Sequence, residues 1–522
     1  MARSAALFVV WGLVGCVADD GMIEETVSLD DEEGDAYDPL DPLGKADGFV
    51  PVDGPLVFEG ACAPGDRVTI AAVGDVLLHG ALQRQAFSVS PRYRSLWLGV
   101  EDLLQRADIT YANLEGPTAD GVAAGGRSVS DPGPTFDNVV YTSYPAFNYH
   151  PTLIDDLLTS GVDIVSTANN HGLDRAAPGV DRTVDNLDAR GLPLTGTRKS
   201  GDTESTRPWF TLTRAADFQI AWLACTYATN GITDRNGQVL FCYRDADRLE
   251  AIVRELGARA DIDAVIVTPH WGLEYSANPD VREVDMAHRL LDAGALAIIG
   301  SHPHVLQPWE LHTTPDGRET FALYSLGNFV SGQTHLPRRS TLLLYLGLTR
   351  TSAGSVVIHG ARYVPLHMTT NTDGSKMVEA IDRVGGDADS RELTVAMFGS
   401  YNVYPPGAPL VLDPQCDPGW EPPSPPHPHD GWIGGSCVDD RACGGTTCVV
   451  ELPGGLCTEP CTGTCADRAG RALTFCVDLG LGGGHCVAQC TTDAECRTGW
   501  VCRARERFGE PPASRLVCVP AG

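Results

Sequence analysis

Val68-Thr69-Ile70-Ala71-Ala72-Val73-Gly74-Asp75 is an apolar run, broken only by Thr69, that stops at a carboxylate. A short run of this kind, rich in Val and Ile, reads as a strand buried on both faces. The same construction recurs down the chain. Ile109–Ala112 leads to Glu115, Val162–Thr167 to Asn170 and His171, Ala264–Thr268 to His270, and Ala295–Ile299 to His302 and His304. Strand ends in an open α/β sheet converge on one edge, and that edge is where such sheets build their sites. Seven residues with O or N donors therefore point at one region.

The segments between these runs are amphipathic. Tyr93–Arg106, Pro151–Ser160, Gly179–Arg190, Asp245–Ala258 and Val281–Ala293 predict helices, and further runs at Phe218–Ala224, Thr320–Ser325 and Leu342–Leu348 predict strands. Alternation of strands and helices means βαβ units with helices covering the sheet faces. The later strands follow one another without long helices, which predicts an antiparallel portion. A mixed α/β/β/α sandwich satisfies both patterns.

The chemistry of the strand-end residues narrows the reading. A metal needs anionic or imidazole donors held close together on rigid elements. Gly74 is expected to turn the chain sharply and present Asp75. Asn is a poor ligand, used beside imidazole and carboxylate to trim charge, and His171 next to Asn170 supplies a proton donor. Ser301-His302-Pro303-His304 places two imidazoles across one rigid proline. His427-Pro428-His429 is the same triplet, but it lies in a Pro-rich stretch with no buried strand before it and is assigned to linker. A zinc peptidase is disfavoured by the lack of a His-Glu-x-x-His helix.

At 522 residues, two domains plus tails are expected, and an apolar content of 43% supports a large core. The net charge of −30 argues against nucleic acid and anionic membrane surfaces as partners, since both need a basic face. Residues 1–16 read as a signal segment: Arg3, an apolar stretch from Ala5, then Leu13-Val14-Gly15-Cys16. That tetrad resembles the bacterial lipobox, which implies lipidation at Cys16 and contact with membrane through that anchor only. Residues 17–62 follow as a tether, strongly acidic from Asp19 to Glu59 and with Lys45 its only base there. The main domain is assigned to 63–400 and a Pro-rich linker to 401–432.

Residues 433–522 form a Cys-rich tail. Of 17 cysteines, setting Cys16 aside leaves an even number, which in an exported chain predicts disulfides. Cys437, Cys443, Cys448 and Cys457 form one group, Cys461, Cys465, Cys476 and Cys486 a second, and Cys490, Cys496, Cys502 and Cys518 a third. Three small disulfide modules in tandem are expected, offering a surface to a partner or resisting proteolysis. Zinc is disfavoured because paired Cys-x-x-Cys ligands are absent.

The succession Gly74-Asp75, Asn113-Leu114-Glu115, Asn169-Asn170-His171, His270-Trp271-Gly272, Gly300-Ser301-His302-Pro303-His304-Val305 and Ser325-Leu326-Gly327-Asn328-Phe329 resembles the CapA family of poly-γ-glutamate capsule synthesis proteins. That family is similar in fold to calcineurin-like metallophosphoesterases. The resemblance spans Val68 to Leu366 and implies a metallophosphoesterase-like α/β/β/α sandwich with two divalent ions (Mn, Fe or Zn). Asp75, Glu115 and His304 would hold one ion, and Glu115, Asn170, His270 and His302 the other. His171 would be the general acid, water activated by the ions the nucleophile, and Asn113 and Asn328 would support the ligands or shape a turn. Phosphoesterases carry a His two residues after the first Asp; here that position is Leu77, and His79 is the nearest imidazole. Two functions stay open: a hydrolase of a phosphoester or of an amide in a cell-envelope polymer, or a non-catalytic polymer assembly or binding factor with a vestigial metal site. Either would act outside the cytoplasm, anchored in the bacterial cell envelope.

Overall fold

A computed structural model describes residues 55–384, 387–417, 431–438, 440–467, 472–510 and 512–521. The signal segment with Cys16, tether residues 17–54 and His427-Pro428-His429 lie outside the described residues.

Two sheets make the centre of the main domain. The larger is eight-stranded, in the order Lys376–Ala380, Val356–Thr370, Ser340–Thr351, Gly65–Leu77, Ile109–Leu114, Ile164–Ser166 and Leu194–Thr195, with Asn328–Ser331 added beside the end of Gly65–Leu77. The smaller is six-stranded: Leu306–Thr313, Glu319–Leu326, Ala297–Ile299, Ala264–His270, Phe218–Thr226 and Phe210–Ala215. Strands Gly65–Leu77, Ile109–Leu114, Ile164–Ser166 and Leu194–Thr195 run parallel, as do Phe218–Thr226, Ala264–His270, Ala297–Ile299 and Glu319–Leu326. The chain then turns antiparallel at Leu306–Thr313 and from Ser340 to Ala380, where consecutive strands pair directly.

Helices cover the outer faces. Leu82, Leu153, Ile154, Leu157, Val180, Val184 and Leu187 pack from three helices into a cluster with Val73, Ala112 and Val165 of the larger sheet. Leu249, Val253, Met286, Leu290 and Leu291 do the same for the smaller sheet, against Val265, Val267 and Ile298. Between the sheets Tyr111 stacks on Trp222, with ring centroids 5.6 Å apart. The layers are helix, sheet, sheet, helix, as the alternation of elements anticipates.

The helix expected over Tyr93–Arg106 is instead two 3₁₀ turns, Arg92–Leu96 and Leu98–Val100, and one α-turn, Glu101–Leu104. The run breaks at Val100 (φ −127°) and at Trp97, which leaves helical geometry (φ −140°) to bury its ring and donate its indole N–H to Ser160 Oγ at 2.8 Å. The domain also reaches past its expected limits. Residues 55–62 were grouped with the tether by composition, but Leu56, Phe58 and Ala61 are buried, and Cys62 pairs with Cys416. Asn402, Val403, Tyr404 and Leu412, grouped with the linker, are buried against the same domain. These few apolar residues are too sparse to outweigh their acidic and Pro-rich surroundings in a compositional reading.

All 16 cysteines among the described residues are paired. Each tail group closes on itself, first to third and second to fourth: Cys437–Cys448 with Cys443–Cys457, Cys461–Cys476 with Cys465–Cys486, and Cys490–Cys502 with Cys496–Cys518. Cys225–Cys242 lies inside the smaller-sheet half. Eight disulfides fit a protein that folds outside the reducing cytosol. Among the described residues no helix is long and apolar enough to cross a membrane.

Candidate metal centre

Asp75 reaches the site without a turn. The Gly65–Leu77 strand continues through Gly74, with a bulge between Val73 and Asp75. Gly74 is needed for another reason: a Cβ there would lie 1.8 Å from the Gly327 carbonyl oxygen, so only glycine lets these strands close. The bulged register puts Asp75 opposite Asn113 on one side and opposite Asn328 on the other. Asn113 Nδ2 donates to Asp75 Oδ1 at 2.8 Å and lies 3.2 Å from His270 Nδ1. Asn328 Nδ2 donates to the backbone oxygens of His304 (3.2 Å) and Arg338 (2.9 Å) and to Gln333 Oε1, so it shapes the loop that carries His304.

The remaining residues come from neighbouring strand ends. Glu115 directly follows Ile109–Leu114 and is fully buried. His270 ends its strand, bridges to Ser301, and has Nε2 2.9 Å from Asn170 Oδ1 and Nδ1 3.0 Å from Ser301 Oγ. His302 and His304 follow Ala297–Ile299 on a loop where both adopt left-handed backbone, φ 104° and 59°. Such conformations cost a non-glycine residue of order 1–3 kcal/mol each, and they persist where the surroundings fix them. His304 Nδ1 lies 3.0 Å from Asp75 Oδ2, and Glu115 Oε1 lies 3.7 Å from His304 Nε2 and 3.6 Å from His270 Nε2. Ligands of one ion with bonds of about 2.1 Å sit about 3.0–3.4 Å apart, close to these separations.

Neither carboxylate oxygen of Glu115 has a hydrogen-bond partner, and neither does His302 Nδ1. Burial pushes Glu115 well above the usual carboxylate range, His304 opposing it and Asp75 adding to it. Burial, helped by the neighbouring imidazoles, holds His270 and His302 well below the usual histidine value, so both stand neutral with lone pairs available. At His304 burial works against the cation, but Glu115 and the Asp75 contact outweigh it and raise the pKa to about 9. A buried carboxylate with no donor is costly. A divalent cation among Glu115, His270 and His302, whose donor atoms lie within 4.8 Å of one another, would remove that cost. The donor set fits a divalent ion.

His171 stands beside this cluster. Its Nδ1 lies 2.7 Å from Asp174 Oδ2, and its ring packs edge-on against Phe147 at 4.8 Å. His79 keeps apart from the carboxylates in its contacts: the Gly332 N–H donates to its Nδ1 at 3.1 Å, which leaves only Nε2 for any ion, and burial lowers its pKa to about 4.

Four residues near the cluster escape the strand-end pattern. Tyr227 lies against His302, with centroids 4.3 Å apart. Asn230 accepts from Asn170 Nδ2 and has its own Nδ2 3.3 Å from His171 Nδ1. Asp174 orients His171, and a Glu274 carboxylate oxygen lies within 4.8 Å of donor atoms of His302 and His304. All four lie outside the apolar runs that mark the strand ends, so the sequence pattern does not single them out.

Among curated proteins, the chain is 29% identical over 216 residues to the PGA biosynthesis protein CapA of Bacillus subtilis, covering 39% of this chain and 53% of that one. It is 30% identical over 182 residues to the capsule biosynthesis protein CapA of Bacillus anthracis, covering 33% and 41%. The chain thus spans about half the length of these relatives. Among solved structures, a phosphatase from Mycoplasma pneumoniae aligns at 12% identity and TM-score 0.34, over 58% of this chain and 95% of that one. A putative 5'-nucleotidase from Staphylococcus aureus aligns at 13% and 0.37, over 63% and 58%. Residues 69–333, just over half of the sequence, match the family model described as bacterial capsule synthesis protein PGA_cap, and the chain belongs to that family.

Proposed function

We propose that this protein is an exported hydrolase dependent on two divalent ions, anchored by lipid at Cys16 and acting on a phosphoester or a γ-glutamyl amide of a cell-envelope polymer. The observation that carries the reading is Glu115: a fully buried carboxylate whose oxygens lack hydrogen bonds, faced by imidazoles from other strand ends. Asp75, Glu115 and His304 would hold one ion, and Glu115, Asn170, His270 and His302 the other. When bound, such ions lower the pKa of water to about 7 and offset charge that develops on the scissile oxygens.

The chain's own groups supply the rest. Asn113 fixes Asp75 by its hydrogen bond, and Asn328 fixes the His304 backbone. Asp174 engages His171 at Nδ1, so Nε2 is the atom that delivers a proton to the leaving oxygen or nitrogen. Phe147 against the ring keeps water from that face. The capsule and poly-γ-glutamate roles in the relatives' names make an acidic polymer the first substrate to test.

The second reading, a non-catalytic assembly factor, is favoured by Leu77, which lies in the apolar core where a phosphoesterase carries an imidazole. One experiment separates the two. Metal content of the purified full chain is measured alongside turnover of a phosphodiester, a phosphomonoester and a γ-glutamyl amide. Two bound ions with His171-dependent turnover support the hydrolase. Two bound ions with no turnover on any substrate support the assembly factor, and retention of both ions by the His302→Ala/His304→Ala variant overturns the metal centre itself.

A further inference from the structure

We propose that the exposed carboxylate of Glu274 is a ligand of the metal centre, completing the ion otherwise held by Asp75, Glu115 and His304. The inference rests on the two-ion reading above and adds a donor to it. A carboxylate oxygen of Glu274 lies within 4.8 Å of donor atoms of both His302 and His304. An exposed acid on a free loop would ordinarily mean nothing there. This loop is tied down. Trp271 N–H donates to Ser301 O at 3.0 Å and Tyr275 N–H to Pro303 O at 2.8 Å, so the segment from His270 to Tyr275 is stitched at both ends to the loop of His302 and His304. Left-handed backbone at Gly272 (φ 88°) and Tyr275 (φ 67°) brackets Leu273 and Glu274. Tyr275 is fixed there by its own contacts, its ring 6.3 Å from that of His304 and its hydroxyl accepting from Gln333 Nε2 at 3.3 Å, so the backbone that presents Glu274 is held in place.

Donor count and charge favour the same assignment. The second ion has four protein donors, the first only three. Leu77, which could have supplied an imidazole from the strand end, is packed in the apolar core instead. Two divalent ions carry four positive charges, of which Asp75 and Glu115 offset two; Asn170 and the imidazoles offset none. A third carboxylate at the solvent side lowers the remaining excess in a buried, low-dielectric site.

The test uses the full, disulfide-intact chain loaded with Mn²⁺ or Zn²⁺ and dialysed, with bound metal counted by mass spectrometry and affinity measured by calorimetry. Wild type is expected to hold two ions. Glu274→Gln, which leaves only a weak, uncharged amide donor, should hold one, or bind the second more weakly by about tenfold or more, and Glu274→His, which restores a strong donor, should recover it. Two ions at unchanged affinity in Glu274→Gln overturns the proposal. So does loss in both variants with a lowered melting point of the metal-free protein, which marks a structural role. If wild type holds no ion, the two-ion reading falls and takes this one with it, an outcome distinct from the other two.

Discussion

Replacing Glu115 by Gln perturbs the centre at its most exposed assumption. The side chain is fully buried, its oxygens accept no hydrogen bond, and His270 Nε2 and His304 Nε2 lie 3.6 and 3.7 Å from Oε1. If both ions depend on this carboxylate, wild type gains stability on loading. At a free metal concentration a hundred times Kd each site adds about 2.7 kcal/mol, or roughly 5 kcal/mol for two. At about 2.1 cal/mol/K of unfolding entropy per residue, a domain of roughly 340 residues shifts by about 1.4 °C per kcal/mol, which gives a metal-dependent rise of about 7 °C. Glu115→Gln keeps the shape and removes the charge, so most of that rise should be lost. Without metal the variant should melt close to wild type, because the cost of burying the Glu115 carboxylate and its attraction for the His304 imidazolium are lost together. Differential scanning fluorimetry of chelated and reloaded protein, without reductant, reads both quantities. An undiminished rise in Glu115→Gln, or a large loss of stability in the metal-free variant, would refute the reasoning.

Metal-free protein should show a stability that depends on pH through its buried histidines, with Glu115 adding to the loss on the alkaline side. His304, raised to about 9, contributes stability that is complete below the unfolded value of 6.5 and is lost as pH rises through 9, while the depressed His270 and His302 remove stability as pH falls below 6.5; urea titrations with chelator at pH 5.5, 6.5 and 9.5 check this, and His304→Gln should flatten the alkaline limb. His171→Ala should cut turnover roughly 10²–10⁴-fold with metal content unchanged, and Asp174→Asn should cut it less; equal activity of wild type and His171→Ala on every substrate denies His171 a catalytic role. Gly74→Ala, whose Cβ meets the Gly327 carbonyl, should cost about 3 kcal/mol or more and lower the yield of folded protein. Removing Cys225–Cys242 by a double Ala substitution should cost about 3 kcal/mol, read as a lowered melting point.

The residues legible in sequence are those whose position follows from strand geometry alone. Val73, Ala112, Val165 and Val267 are buried in sheets covered by helices, so their strands read as continuous apolar runs with abrupt polar ends. Asp75, Glu115 and His270 are such ends. Glu274, Asn230 and Tyr227 were not legible because loops carry them, and the paths depend on backbone at Tyr275 (φ 67°) and Asn230 (φ 47°) that no pattern announces. Gly74 was legible as important but for the wrong reason: a close approach of two strands leaves the same glycine as a turn does. Asp174 reaches His171 from three residues on, a spacing common enough on any chain to pass unseen.

A comparison of the two buried acids shows why a site retained only for the fold is the weaker reading. Asp75 and Glu115 are equally inaccessible. Asp75 is supported as a structural acid would be, with Oδ1 accepting from Asn113, Oδ2 beside His304 Nδ1 and its backbone N–H bonded to Gly327. Glu115 has none of this at its carboxylate. A carboxylate so placed, with no donor, opposes folding by several kcal/mol unless it is protonated or paired. Glutamine or leucine at that position would relieve the cost at once, and drift after loss of function would find either. His302 repeats the pattern, bearing a left-handed backbone and an unpartnered Nδ1 where glycine would be relaxed. Two residues that each act against the stability of the metal-free chain, and that face the same few ångströms of space, are accounted for together by a cation and separately by nothing in the packing.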